Sequence, residues 1–82
     1  LLNCYPNPVE DELTIEFSSS ILTPVKVEIC NVVGQVLHQY QFKLEMGENK
    51  LKIPTNSIRN GIYFFRLSMP NGEFILKKFL KH

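Results

Sequence analysis

Apolar and polar residues alternate along most of this chain. From Leu13 to Phe17, the apolar Leu13, Ile15 and Phe17 are interleaved with Thr14 and Glu16. A period of two sends successive side chains to opposite faces, so this segment predicts a half-buried antiparallel strand. Val25, Val27 and Ile29 repeat the pattern around Lys26 and Glu28. A longer row follows, with Val36, His38, Tyr40, Phe42 and Leu44 on one parity, and then a short pair, Leu51 and Ile53, stopped by Pro54. The most apolar run is Gly61 to Leu67. There Tyr63, Phe65, Leu67 and Met69 share one face while Ile62 and Phe64 take the other. Apolar residues on both parities predict a strand in the interior of a sheet, covered on both faces.

Turn signals separate these runs. Ser18-Ser19-Ser20 ends the first strand, and Thr23-Pro24 prepares the second. Asn31-Val32-Val33-Gly34 suits a type I turn followed by a left-handed residue, which predicts a hairpin. Glu45 to Glu48 makes the next reversal, and residues 54–60 form a loop that Ile58 plugs into the core. Pro70-Asn71-Gly72 joins the last two strands. A three-residue loop there sets Leu67 opposite Ile75; a two- or four-residue loop sets it opposite Leu76. A one-residue slip flips every side chain of a strand. Segregation of apolar from charged residues favours the second register, with Phe74, Leu76 and Leu80 inward and Lys81 and His82 outside the core. About seven short strands with no amphipathic helix predict an all-β, two-sheet antiparallel sandwich with Greek-key connections. A small barrel is the second choice.

Composition narrows the class. The chain has 82 residues, of which 44% are hydrophobic, enough for one domain with its own core. Residues 1–82 are expected to form that single domain, with 1–9 as an extended lead-in from an upstream domain. In the lead-in, Tyr5-Pro6-Asn7-Pro8 cannot follow a helical path, and its prolines cannot donate to a ladder, which confines it to an edge or a connector. With neither an initiator Met nor a signal peptide at Leu1, the chain reads as a piece of a longer protein. The net charge is +1, with an acidic beginning and a basic end. The basic residues form no broad cluster, which argues against nucleic-acid binding. No apolar run approaches the roughly 20 residues of a membrane-spanning helix.

Candidate chemistry is sparse. Cys4 and Cys30 with His38 and His82 lack the close spacing of a zinc site. Cys30 shares the outward parity of Lys26 and Glu28, so the two thiols are expected to be free. The acidic run Glu10-Asp11-Glu12 supplies too few oxygens from one segment for calcium. No nucleophile–base pair, carboxylate pair or phosphate loop is visible, so no enzyme and no cofactor are expected.

Several pieces nevertheless stand in a particular order. Tyr5-Pro6-Asn7-Pro8-Val9 precedes Asp11 and the Leu13/Ile15 alternation. Asn31-Val32-Val33-Gly34-Gln35-Val36 follows, then Gly47 with Asn49, then Gly61-Ile62-Tyr63, and the chain closes on Lys77-Lys78-Phe79. In this order and spacing the chain resembles the type A C-terminal sorting domain of type IX (Por) secretion cargo. The resemblance implies an immunoglobulin-like sandwich with Tyr5, Pro6, Asn7, Pro8, Asp11, Gly34, Gly47, Gly61 and Tyr63 at structural motif positions. It also implies a sorting signal. The upstream cargo would cross the periplasm and be directed to the outer-membrane translocon. A sortase-like peptidase would then remove the domain, leaving the cargo at the cell surface or in the medium. Lys77, Lys78, Phe79 and Lys81 are the candidate residues for recognition by translocon or peptidase. The alternative from another class is an accessory module that binds carbohydrate or surface partners for a secreted enzyme or adhesin. Against it, Trp is absent and most aromatics fit core parity.

Overall fold

A computed structural model describes residues 2–82. Seven strands make up the fold: β1 (Leu2–Tyr5), β2 (Glu12–Ser19), β3 (Thr23–Cys30), β4 (Val36–Leu44), β5 (Gly47–Pro54), β6 (Gly61–Ser68) and β7 (Phe74–Lys81). They form two antiparallel sheets, one ordered β1-β2-β5 and the other β4-β3-β6-β7. Strands distant in sequence lie side by side, β2 with β5 and β3 with β6, the interleaving expected of a Greek key. Among the described residues there is no helix. The all-β immunoglobulin-like sandwich is the observed architecture.

The alternation explains the packing. Leu13 and Ile15 of β2 and Leu51 and Ile53 of β5 point inward from one sheet. Val25, Val27 and Ile29 of β3 meet them from the other, with Phe65 and Leu67 of β6. Burying each such side chain contributes about 1.5–3 kcal/mol. This is the driving force for closing the two sheets. Phe17, Tyr40, Phe42 and Ile58 pack, half-buried, around that core.

Two features of the last two strands differ from the sequence expectation. The first is register. Gly72 N–H donates to the Met69 carbonyl (3.0 Å) and Met69 N–H to that of Glu73 (2.8 Å), which leaves a three-residue loop. Ser68 therefore pairs with Phe74 and Leu67 with Ile75. Phe74, Leu76 and Leu80 face outward, 43–55% exposed, while Phe79 is buried. Turn geometry overrode segregation here. Gly72 at φ +94° adopts the left-handed residue that follows a type I turn, and Pro70 pre-sets the turn's first central position. The Asn31–Gln35 hairpin uses the same pair of hydrogen bonds. Phe79 then stacks on Tyr63, with ring centroids 5.9 Å apart, and lies 6.4 Å from the Phe65 ring. The expected inward set is thus corrected from Phe74, Leu76 and Leu80 to Ile75 and Phe79.

The second is cover. β6 lies between β3 and β7 as expected of an interior strand, but only one of its faces is buried. Ile62 is 49% exposed and Phe64 half-buried on the outer face. The end of the chain differs as well. Lys81 is buried rather than outside the core, because Val9 forms a one-residue parallel bridge with it. Val9 N–H donates to the Leu80 carbonyl and His82 N–H to that of Val9, both at 2.7 Å.

Candidate recognition site

Four residues near the end of the chain are the recognition candidates, and β7 separates them into two pairs. Lys77 and Lys78 are exposed in mid-strand, neither is in an ion pair among the described residues, and they point to opposite faces. Phe79 and Lys81 are buried. Phe79 is a core aromatic, and the Lys81 ammonium donates to the His82 carbonyl (3.3 Å). The exposed pair is therefore the accessible chemistry of this strand.

β7 is an edge strand of its sheet. The Leu80 carbonyl and His82 N–H point outward to Val9, and backbone groups of one parity share a side. The N–H and C=O groups of Phe74, Leu76 and Lys78 consequently line the same outer edge, with no strand beside them among the described residues. Val9 covers only the end.

The motif positions hold the frame that carries this strand. Tyr5 Oη donates to Glu16 (2.9 Å), and this bond raises the phenol pKa above its ordinary value. The Tyr5-Pro6 and Asn7-Pro8 peptide bonds are cis. Across these residues the chain leaves β1 of one sheet and reaches Val9 beside β7 of the other. The carbonyls of Glu10 and Asp11 accept from Thr55, from its hydroxyl at 2.9 Å and its N–H at 2.8 Å. Gly34 sits in the first hairpin, Gly47 opens β5, and Gly61 opens β6 at φ +153°. Tyr63 is buried, and its hydroxyl donates to the Arg59 carbonyl at 2.7 Å, the geometry of a tyrosine corner in a sandwich.

Asn49 was legible only as part of a motif, not for what it does. Buried at the reversal into β5, it accepts from Glu45 N–H (2.9 Å). Its amide lies within hydrogen-bond distance of the carbonyls of Phe17, Glu45 and Gly47 (3.0–3.3 Å). An Asn at the inward parity of a strand, two residues after a turn glycine, was the available signal. Cys4 and Cys30 are free thiols on different sheets. His38 has its Nε2 at 3.3 Å from the Ser57 hydroxyl.

Residues 3–82 match the family described as the secretion system C-terminal sorting domain. The chain belongs to that family. The match spans both the Pro-x-Pro segment and β7. Comparison with curated proteins found no match. As a type IX secretion sorting domain, the chain carries a sorting role, and its family is one of sorting signals, not a known enzyme family. The role implies a cargo in cis, contact with the secretion system, and a cell-surface or secreted fate. No helix among the described residues is long and apolar enough to cross a membrane.

Proposed function

We propose that this sorting domain directs its cargo from the periplasm to the type IX outer-membrane translocon through β7, and is then removed by a sortase-like peptidase. The family match over residues 3–82 carries the proposal. Residues 1–82 act as one portable unit, with 1–9 as the lead-in from the cargo. Lys77 and Lys78 are the residues a receptor reads. Phe79 holds the strand to the sandwich from beneath, and Lys81 with its neighbours fixes the end of the strand against Val9. Strand addition at an open edge supplies main-chain affinity, and side chains beside it supply specificity.

A reporter fused ahead of residues 1–82 tests this. The expected result is export to the surface or medium in a strain with the translocon and periplasmic retention in one without it. Lys77→Glu with Lys78→Glu is expected to weaken export while leaving stability within about 1 kcal/mol, as surface changes do. Equal export with and without the translocon overturns the proposal and favours the accessory-module alternative.

A further inference from the structure

The outward faces of the two sheets differ in kind. On the three-stranded sheet, polar groups pair with one another: Tyr5 with Glu16, Lys50 with Glu16 (3.6 Å) and Ser18 with Glu48. That is an ordinary solvated face. On the four-stranded sheet, the strip over β6 and β7 is largely apolar, interrupted by Arg66 and by Lys78, which lies opposite Phe64. Ile62 lies opposite Leu80, and Arg66 opposite Leu76. Phe74 is 53% exposed under the Arg66 guanidinium, 4.2 Å from its ring centroid. An apolar patch rimmed by polar groups marks a contact surface.

This strip borders the open edge of β7, and the two features ask for one occupant. An added strand hydrogen-bonds to the outward groups of Phe74, Leu76 and Lys78. Its side chains alternate between the outer face, beside Phe74, Leu76 and Lys78, and the inner side, beside Ile75, Lys77 and Phe79. The two lysines are consecutive and face opposite ways, so two consecutive carboxylates on the added strand meet both. Opposite charges paired across strands are favourable and like charges are not.

A second copy of β7 is a poor occupant, because Phe74–Lys81 contains no acidic residue. The other edge of the same sheet is less suitable as well. On β4, Ile29 pairs with His38 but Cys30 with Val36, which leaves Leu37 as a bulge, and bulges blunt edges. Mid-strand β4 offers neutral Gln39 and Gln41. We infer that the β7 edge and its apolar outer strip bind an extended protein strand carrying two adjacent carboxylates flanked by apolar residues. This deepens the proposed function, since it rests on β7 as the contact element, and it names the chemistry of the partner.

The test titrates the domain with a short peptide that has two central glutamates between Val-Thr repeats, followed by amide NMR. Shifts are expected at Phe74, Leu76 and Lys78, with none along β4 or β5. Replacing the glutamates by lysines is expected to weaken binding about tenfold, the scale of two cross-strand charge pairs reversed. The Lys77→Glu, Lys78→Glu variant, with its other amide positions unchanged as proof of folding, is expected to invert that preference. Equal affinity for both peptides, or shifts that map to β4, overturns the inference. So does binding of anionic lipid vesicles without any binding of the peptide, or self-association through β7 in its place. Peptide preference retained while the reporter is exported without the translocon leaves this surface standing and removes the translocon as its partner. Translocon-dependent export with no peptide preference does the reverse.

Discussion

Tyr63 and Arg59 are four residues apart and joined by a 2.7 Å hydrogen bond from the phenol to the carbonyl. The bond ties the start of β6 back to the loop that leads into it, on the same side chain whose ring stacks on Phe79. One residue therefore fixes both the entry to the interior strand and the seat of the edge strand.

The two functions of Tyr63 separate by substitution. Tyr63→Phe keeps the ring and loses the bond, and is expected to cost about 1 kcal/mol. Tyr63→Ala also empties the space against Phe79 and is expected to cost about 3–5 kcal/mol. Urea titration measures both. Near-equal losses would mean that the ring contributes nothing beyond its hydroxyl.

Asn49 has no backbone substitute. Asn49→Ala deprives the Glu45 N–H of its acceptor and the surrounding carbonyls of a donor, in a buried position. The expected loss is about 2–3 kcal/mol, from unsatisfied buried groups. A loss below half of this in thermal or urea melts would show that water replaces the amide.

The Cys30 thiol provides a pH-dependent probe of the outer face. Desolvation by burial, then the Glu28 carboxylate, push its pKa above the ordinary value against a smaller opposing pull from Arg66. The thiolate is the reactive form. Alkylation of Cys30 is therefore expected to be slow at neutral pH and to rise with a midpoint above that of a free thiol. Its neutral form is the one the fold favours, so the associated stability is present below the unfolded pKa and lost as pH rises through the folded one. Mass-resolved labelling across pH checks this; a midpoint below the free thiol would reverse the assignment.

Removing Lys81 and His82 takes away the bridge partner of Val9 and one of its two hydrogen bonds, leaving the one to the Leu80 carbonyl. The His82 N–H bond is lost, and Val9, fully buried in the intact chain, is uncovered on one side. The domain is expected to fold with about 1–2 kcal/mol less stability. Hydrogen exchange is expected to rise first at Val9. Unchanged stability and exchange would mean that the bridge contributes nothing in solution.

The positions of β2 to β7 and the inward residues of β2, β3 and β6 were legible because alternation records burial directly, whereas Leu2–Tyr5, a strand in the fold, was legible only as part of an extended lead-in. The hairpin at Asn31–Gly34 was legible because its turn residues have narrow conformational preferences. The register of β7 was not, since apolar residues occupy both parities of Phe-Ile-Leu-Lys-Lys-Phe-Leu-Lys. Segregation then chooses wrongly, and the loop geometry at Gly72 decides. Lys77 and Lys78 were visible as charges, but their opposed directions on an open edge became readable only with the strand order. The bridge from Val9 joins residues at opposite ends of the chain. No local pattern encodes it.

That bridge has a kinetic meaning. Each hairpin joins neighbours in sequence, whereas Val9 and Lys81 can meet only after nearly the whole chain has been gathered. Contacts of such separation form late, after local ones have prepaid the loop entropy. Completion of the sandwich thus registers that first and last segments are both present. A chain clipped before Lys81 is expected to fold without this closing contact, its two ends no longer tied to each other.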